Sequence, residues 1–373
     1  MPETVINMVA FDIPYPANYG GSIDIFYKLK TLKEKGIAVI LHCFEYNKSE
    51  QPELENYCKS VVYYPRNKGL KFLFSPLPYI VVTRKHQQLL KNLKANDFPI
   101  LFEGLHSCAF LDAPELKNRK KIVRTHNIEH DYYSGLQKAS KNLFTKTYYA
   151  FESRKLKRYE PVLQHANAIL SISPNDFKYF SKQYENVGYI PAFHPFYELK
   201  SKPGEGTYFL YHGNLSVEEN EMAVHFLIDQ VFNRLEAQLI VAGKTPGKKL
   251  PEKISKLPNV TLQSNPSEEE MNNLMQNAQA CVLPTFQGTG LKLKLLTSLF
   301  SSRYVIANPT MVNNTGLEDL CELADSAEEF IAAINKISTD EFTTEQISER
   351  KQKLVEFTND FNGDKLLKII EEL

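Results

Sequence analysis

Short apolar runs separated by longer amphipathic stretches recur along almost the whole chain. In the first half the runs are "TVINMVAFD" (4–12), "IAVILHCFEY" (37–46), "SVVYYP" (60–65), "PILFEG" (99–104), "KIVRTHN" (121–127) and "AILSIS" (168–173). Most are rich in Val and Ile and lack strict alternation, the pattern of strands buried on both faces of a parallel sheet. Helical spacing fills the gaps, for example over Ser22–Lys35 and Tyr79–Ala95. The series then begins again with "TYFLYHGN" (207–214), "AQLIVAG" (237–243), "VTLQSN" (260–265), "ACVLP" (280–284) and "YVIAN" (304–308). Helical stretches over Glu218–Leu235, Ser267–Ala278 and Leu291–Ser301 lie between them. The segment "IPAFHPFYELKSKPGEG" (190–206) is rich in Pro and Gly and has little periodicity, so it predicts a linker. The expected layout is an α/β domain over 1–189, a linker over 190–206, a second α/β domain over 207–345 and a helical tail over 346–373. Two doubly wound domains facing each other enclose a central cleft, and each presents its ligand crevice beyond the carboxyl ends of its strands. Functional residues are therefore expected in the loops that follow strands.

Composition narrows the class. A chain of 373 residues with 43% hydrophobic and 24% charged positions is that of a soluble globular protein. The formal net charge is zero, which argues against a nucleic-acid partner. Five cysteines without a C-x-x-C pair read as reduced thiols of the cytoplasm and offer no metal cluster. The N-terminus lacks a basic-then-apolar signal pattern, and no apolar run reaches the ~18 residues of a membrane span. Charge is uneven locally. From Asn56 to Asn96 there is no acidic residue, while Lys59, Arg66, Lys68, Lys71, Arg84, Lys85, Lys91 and Lys94 are basic, and "RKLKR" (154–158) adds a second basic stretch. A solvated surface accounts for this; so does peripheral contact with an anionic membrane on its inner face, worth roughly 1 kcal/mol per basic residue.

The loops after strands hold the candidate chemistry. "TFQGTGLKLKLL" (285–296) is a Gly-containing turn that opens a helix, where unpaired N–H groups and the helix dipole favour an anion. Lys292 and Lys294 add full charges; being two apart they lie on different helix faces, so one is expected to point into the cleft, Lys294 ahead of Lys292. "YHGNLSVEENEMAVHF" (211–226) places Gly213 and Asn214 at a strand end, with Ser216 and Glu219 at capping-box spacing. In the first domain Gly20 and Gly21 follow the first strand and begin a helix, without the G-x-G-x-x-G fingerprint of a dinucleotide site. His106 and His126 follow later strands, and Glu103 and Glu129 lie near the same edge as polar contacts or acid–base groups. His42, inside a strand, and His225, within a helix, read as structural.

Together "YGGS", "THNIEHDYY", "HGNLSVEENEMAV", "GTGLKLKLL" and "NNTGLED", in this order on two Rossmann-like domains, resemble a GT-B glycosyltransferase. More narrowly they resemble the retaining, nucleotide-sugar-dependent family 4 enzymes of bacterial surface-polysaccharide assembly. The resemblance implies a hexosyltransferase whose second domain binds the nucleotide-sugar through Gly213, Asn214, Thr289, Gly290, Lys292 and Lys294, with no metal or other cofactor. It implies a first domain that takes a glycan or lipid-linked glycan acceptor, with Gly20 and Gly21 near phosphate or acceptor and His106 near the transferred sugar. It also implies a C-terminal helix that crosses back to the first domain. His106 and Lys294 are the expected catalytic groups, with His126 and Glu129 beside the acceptor loop. Many relatives carry an E-x7-E pattern whose second Glu grips the ribose; Thr289 and Thr297 stand at those positions here. Asn214 and Asn220 stand where many relatives carry Arg and Lys. Two other functions share the pattern. One is a nucleotide-sugar epimerase, which would need cleft carboxylates and arginines that this chain is poor in. The other is a catalytically impaired GT-B subunit that binds nucleotide-sugar or glycan, which the loss of the acid at Thr297 favours.

Overall fold

Ile6, Met8 and Ala10 face one core and Val9 faces another, so the first apolar run is a strand covered on both sides. This is β1, Val5–Ala10, in a computed structural model that describes residues 4–46, 48–140, 142–244, 249–286 and 292–373. The chain divides into two compact units. Among the described residues the first takes the chain up to Pro195 together with Glu356–Leu373, and the second takes the chain from Phe196 to Val355.

The first unit contains a seven-stranded sheet of β1, β2 (Ala38–Glu45), β3 (Ser60–Pro65), β4 (Ile100–Glu103), β5 (Lys121–Thr125), β6 (Ala168–Ser171) and β7 (Val187–Tyr189). The order is β3-β2-β1-β4-β5-β6-β7 and every pairing is parallel. The second unit contains a six-stranded sheet of β8 (Phe209–Asn214), β9 (Leu239–Lys244), β10 (Val260–Ser264), β11 (Ala280–Leu283), β12 (Tyr304–Ala307) and β13 (Glu322–Leu323). Its order is β10-β9-β8-β11-β12-β13, again all parallel. In each unit the strand order reverses once, between β1 and β4 and between β8 and β11. Ligands of open α/β sheets bind beyond the carboxyl ends of strands at such a reversal.

The edge strands β7 and β13 escape the hydrophobic pattern because they are too short to show a period. The helical stretch expected over Tyr79–Ala95 is two helices, Tyr79–Val82 and Gln87–Lys94. The Thr83 carbonyl accepts from Asn67 N instead of continuing the helix, and Arg84 is drawn inward to donate to Phe11 O and Ile80 O. The stretch over Glu218–Leu235 is α-helical only to Phe226, then widens into a π turn (Leu227–Val231) and closes as a 3-10 turn (Phe232–Arg234).

The boundaries also differ from the expected ones. Residues 190–195 belong to the first unit rather than to a linker. Ile190 and Phe193 are core residues, and the Ile190 and Pro191 carbonyls accept from Arg124. The helix Thr344–Leu354 belongs to the second unit rather than to a tail on the first. Its Arg350 is buried, donating to the Ser302 and Arg303 carbonyls and to Ser201 Oγ. The last helix, Asn359–Glu372, is part of the first unit. It lies so close to the helix Gly20–Glu34 that a Cβ on Gly363 would stand 2.6 Å from Thr31 Cγ2. Asn359 brackets His194, accepting from its N–H at 3.0 Å and donating to its carbonyl at 2.6 Å.

A fully buried ion network joins these parts of the first unit. Lys28 Nζ donates to Asp24 at 2.9 Å and to Glu103 at 2.7 Å. Arg124 pairs with Asp24 through Nε at 3.1 Å and Nη2 at 3.0 Å, and His126 Nε2 lies 3.0 Å from Glu103. Burial alone would raise the Asp24 carboxyl, but Arg124 and Lys28 hold it well below the usual range. Asp24, Glu103 and His126 bring ligand atoms within 4.8 Å of one another. Lys28 and Arg124 already neutralise the two carboxylates, so the set is an ion network rather than a metal cage. Removing one member strands the others. Lys28→Met is expected to lower unfolding free energy by about 3–5 kcal/mol, while Lys368→Met, which loses only an exposed pair with Glu372, changes it by less than about 1 kcal/mol; urea titration of both variants measures the contrast.

Candidate functional site

In the first unit the residues that follow β1, β4 and β5 converge on one ring. Phe11, just beyond β1, has its ring centroid 5.1 Å from His106 and 5.2 Å from His126. Gly21 permits this approach: a Cβ there would stand 2.7 Å from Phe11 Cζ. Gly104, with φ of 69°, turns the chain after β4 so that His106 reaches the same place. Gly20 and Gly21 begin the helix Gly20–Glu34, and Ser22 Oγ ties its entry by accepting from the Asn18 and Tyr19 N–H groups. Tyr19 OH donates to the buried Asp12 at 2.7 Å. The structure thus brings Gly20, Gly21, His106, His126 and Glu129 to one sheet edge.

Their chemical states differ. His126 is turned inward to Glu103, and Glu103 is completely buried against Lys28, so this pair is structural rather than a sugar contact. His106 is partly exposed, and its Nδ1 lies 3.6 Å from Glu129 Oε1. Neither of these two atoms has a hydrogen-bond partner. Burial, with the nearby Arg84 charge, pushes the His106 imidazolium well below the usual range, so the ring is neutral. Burial, with Asp176 nearby, raises the Glu129 carboxyl to about 8, so it carries a proton at neutral pH. A neutral acid beside a neutral imidazole can donate to and accept from an uncharged hydroxyl without a charge to desolvate. Phe11 and Asp12 carry no signal in the sequence, and Arg84, read there as one of a run of surface cations, is buried, which nothing local shows.

In the second unit the focus is Lys294, in the helix Leu293–Ser301 that follows β11. Its ammonium donates to Tyr211 OH at 3.0 Å and to Asn220 Oδ1 at 2.6 Å, and stands 4.6 Å from the centre of the Tyr211 ring. Both acceptors are neutral. Burial lowers the Lys294 pKa to about 8, with Glu219 opposing and Lys292 assisting the shift. Gly213, at the end of β8, leaves room for this side chain: a Cβ there would lie 2.9 Å from Lys294 Nζ. Gly243, its neighbour on β9, has no alternative residue, since a Cβ would stand 1.7 Å from the Gly213 carbonyl oxygen.

Several details depart from the expected arrangement. Lys292 precedes the helix rather than lying on it, so spacing on helix faces does not separate the two lysines. Both feel the Glu219 carboxylate. Ser216 and Glu219 form no capping box. Val217 is the N-cap, Ser216 donates to Asn214 Oδ1, and Glu219 accepts from Thr285 Oγ1. Asn214 thereby builds the turn, its carbonyl accepting from Asn220 Nδ2. The Thr297 hydroxyl donates to Leu293 O at 2.7 Å, back into its own helix. Thr289 and Gly290 lie outside the described residues.

The proton held by Glu129 gives a measurable signature. The folded chain keeps it up to about pH 8, while the unfolded chain releases it in the ordinary carboxyl range. The associated stability is complete in acid and is lost as pH rises through that window. Glu129→Gln cannot ionise, so the variant is expected to gain stability relative to the wild type steadily between about pH 5 and about pH 8, as read from urea midpoints along a pH series.

Residues 206–340 match the model of the family described as glycosyl transferases group 1. Over 330 residues the chain is 26% identical to an uncharacterized 44.6 kDa protein in the cps region of Klebsiella pneumoniae, covering 83% of this chain and 84% of that one. Among solved structures it is similar to the lipopolysaccharide outer core galactosyltransferase WaaB, with a TM-score of 0.65, 13% identity and coverage of 99% and 100%. It is also similar to Anabaena HepE in complex with UDP, with a TM-score of 0.66, 12% identity and the same coverage. These likenesses give the chain the GT-B fold of the glycosyltransferases, with a glycosyl transferase group 1 region over residues 206–340.

Proposed function

We propose that this protein transfers a sugar, with retention, from a nucleotide-sugar donor to a glycan or lipid-linked glycan acceptor in the synthesis of a bacterial surface polysaccharide. The observation that carries this reading is the Lys294 ammonium, held at the β8–β11 reversal by neutral partners and pulled down to about 8 by burial. A donor diphosphate arriving there supplies the missing negative charge and restores the lysine to full protonation. The group 1 match spans this site, and the relative from a cps region and the lipopolysaccharide galactosyltransferase support the substrate class.

In this reading the bond from the sugar C1 to the diphosphate oxygen breaks, and a bond from C1 to the acceptor oxygen forms on the same face. The acceptor proton passes to a diphosphate oxygen, so no separate base is required. Lys294, with Lys292, stabilises the charge that develops on the leaving group and takes the place a divalent cation would have. In the first unit the His106–Glu129 pair binds sugar or acceptor hydroxyls. The second reading is a donor-binding subunit without transfer activity. What favours it is Thr297, whose hydroxyl is engaged with Leu293 O where a ribose-gripping carboxylate is absent. No helix among the described residues is long and apolar enough to cross a membrane.

Incubation with a panel of nucleotide-sugars, with and without lipid-linked and free glycan acceptors, tests the proposal by NMR. Free nucleoside diphosphate released only with acceptor, and a product that keeps the anomeric configuration of the donor, is the expected result. Donor binding without release under any acceptor supports the binding subunit instead, and inversion at C2 supports an epimerase. Lys294→Met is expected to lower turnover by about 100-fold. Nucleoside diphosphate affinity of the wild type should fall as pH rises through about 8 and should lose that dependence in the variant, as measured by calorimetry. Thr297→Glu is expected to tighten the same binding by about tenfold.

A further inference from the structure

Two arginines of the first unit are drawn inward without a carboxylate to pair with. Arg84 is only 5% exposed, and it donates from Nε to Phe11 O and from Nη1 to Ile80 O, both at 2.6 Å. Arg66 is half-buried. Its Nε donates to Thr83 Oγ1 at 3.0 Å, and its guanidinium lies 4.3 Å from the centre of the Tyr46 ring and 5.7 Å from that of Tyr79. Thr83 precedes Arg84 in the chain, so one short turn anchors both side chains. Among the described residues Nη2 of Arg84 and both Nη groups of Arg66 make no hydrogen bond. None of the three is sealed from solvent. Arg350 shows the contrast: it is equally buried, but both its Nη groups are taken by backbone carbonyls.

The charges are uncompensated. Burial, and then the Arg66 charge, lowers the Arg84 pKa to about 9. Asp12 acts on Arg84 from the other side, but its two oxygens already accept from the Ile13 N–H and the Tyr19 hydroxyl. Glu129, which also feels Arg84, holds its proton. The position is equally telling. Arg84 binds the carbonyl of Phe11, whose ring lies against His106, and both arginines act on the His106 ring. The open N–H groups therefore stand at the strand ends where His106 and Glu129 meet. Two planar guanidiniums with free donors fit a phosphate, whose oxygens accept paired N–H groups. We propose that Arg66 and Arg84 hold a phosphate group of the acceptor, next to the hydroxyls bound by His106 and Glu129. Two sources share this chemistry: a diphosphate that joins a glycan to a lipid carrier, and a phosphate ester on the glycan itself. That the ligand is an acceptor rests on the transfer reading; that the site takes phosphate does not, since binding is measured without a donor.

Titration of the Lys294→Met variant, whose donor site is silenced, with geranyl diphosphate, glucose 6-phosphate or glucose tests it, by calorimetry and by the NMR signals of the His106 ring. At least one of the two phosphates is expected to bind one to one and to shift those signals, and glucose to do neither at the same concentration. Tighter binding of geranyl diphosphate assigns the group to the lipid linkage, and tighter binding of glucose 6-phosphate assigns it to the glycan. Adding Arg66→Gln is expected to weaken phosphate binding by about tenfold or more, and Arg66→Lys by less. Arg84→Lys, which keeps the charge and loses the fork, is expected to weaken it by about tenfold. Arg66 is half-buried and makes one hydrogen bond, so the thermal midpoint of Arg66→Gln should stay near that of its parent and report that folding is intact. No binding of either phosphate, binding that leaves the His106 signals unmoved, an equal response to glucose, or undiminished binding by the folded Arg66→Gln variant overturns the proposal. The transfer reading fails separately, when the wild type releases no nucleoside diphosphate with any acceptor.

Discussion

Asp24 accepts two hydrogen bonds from Arg124, one from Lys28 and one from the Phe193 N–H, all inside the core of the first unit. Four stretches far apart in sequence meet on this carboxylate: the helix after β1, the end of β4 through Lys28 and Glu103, β5 through Arg124, and the chain that leaves β7. Two carboxylates face two cations there, so the charge closes internally. An unpaired ion at this depth would cost several kcal/mol, so the network holds these stretches in one arrangement. His126 is fixed by Glu103, and its ring meets the edge of Phe11, against which His106 also lies. The placement of the polar pair His106 and Glu129 therefore depends on ions paired inside the core.

The second unit handles charge in the opposite way. Lys294 is held by a phenol and an amide, and its nearest opposing carboxylate, Glu219, is itself engaged by Thr285. The balance is left open where the first unit closes it. A closed network has its charge satisfied from within, whereas the Lys294 ammonium has only neutral hydrogen-bond partners, and the proposed function rests on that difference.

Much of the fold was legible in the chain. Eleven apolar runs became eleven parallel strands, because central strands covered on both faces take apolar residues at most positions; only the edge strands β3 and β10 are largely half-buried or exposed. The misses have local causes. β7 and β13 are too short for any period to show. The break at Thr83 is decided by Asn67, a partner sixteen residues away. Ser216 and Glu219 satisfy the spacing of a capping box, but Asn214 and Thr285 offer each a better partner.

By itself the sequence determined the two parallel sheets, the strand ends at which chemistry gathers and the polar residues available there, because burial and backbone conformation are written into residue type and spacing. The tertiary structure alone decided which of those residues are free to act. His126 and Glu103 are bound to each other, Glu129 keeps its proton, Lys294 faces neutral groups, and Arg84 is drawn out of solvent onto two carbonyls. Protonation, pairing and exposure depend on neighbours brought from distant parts of the chain, and no local pattern carries them.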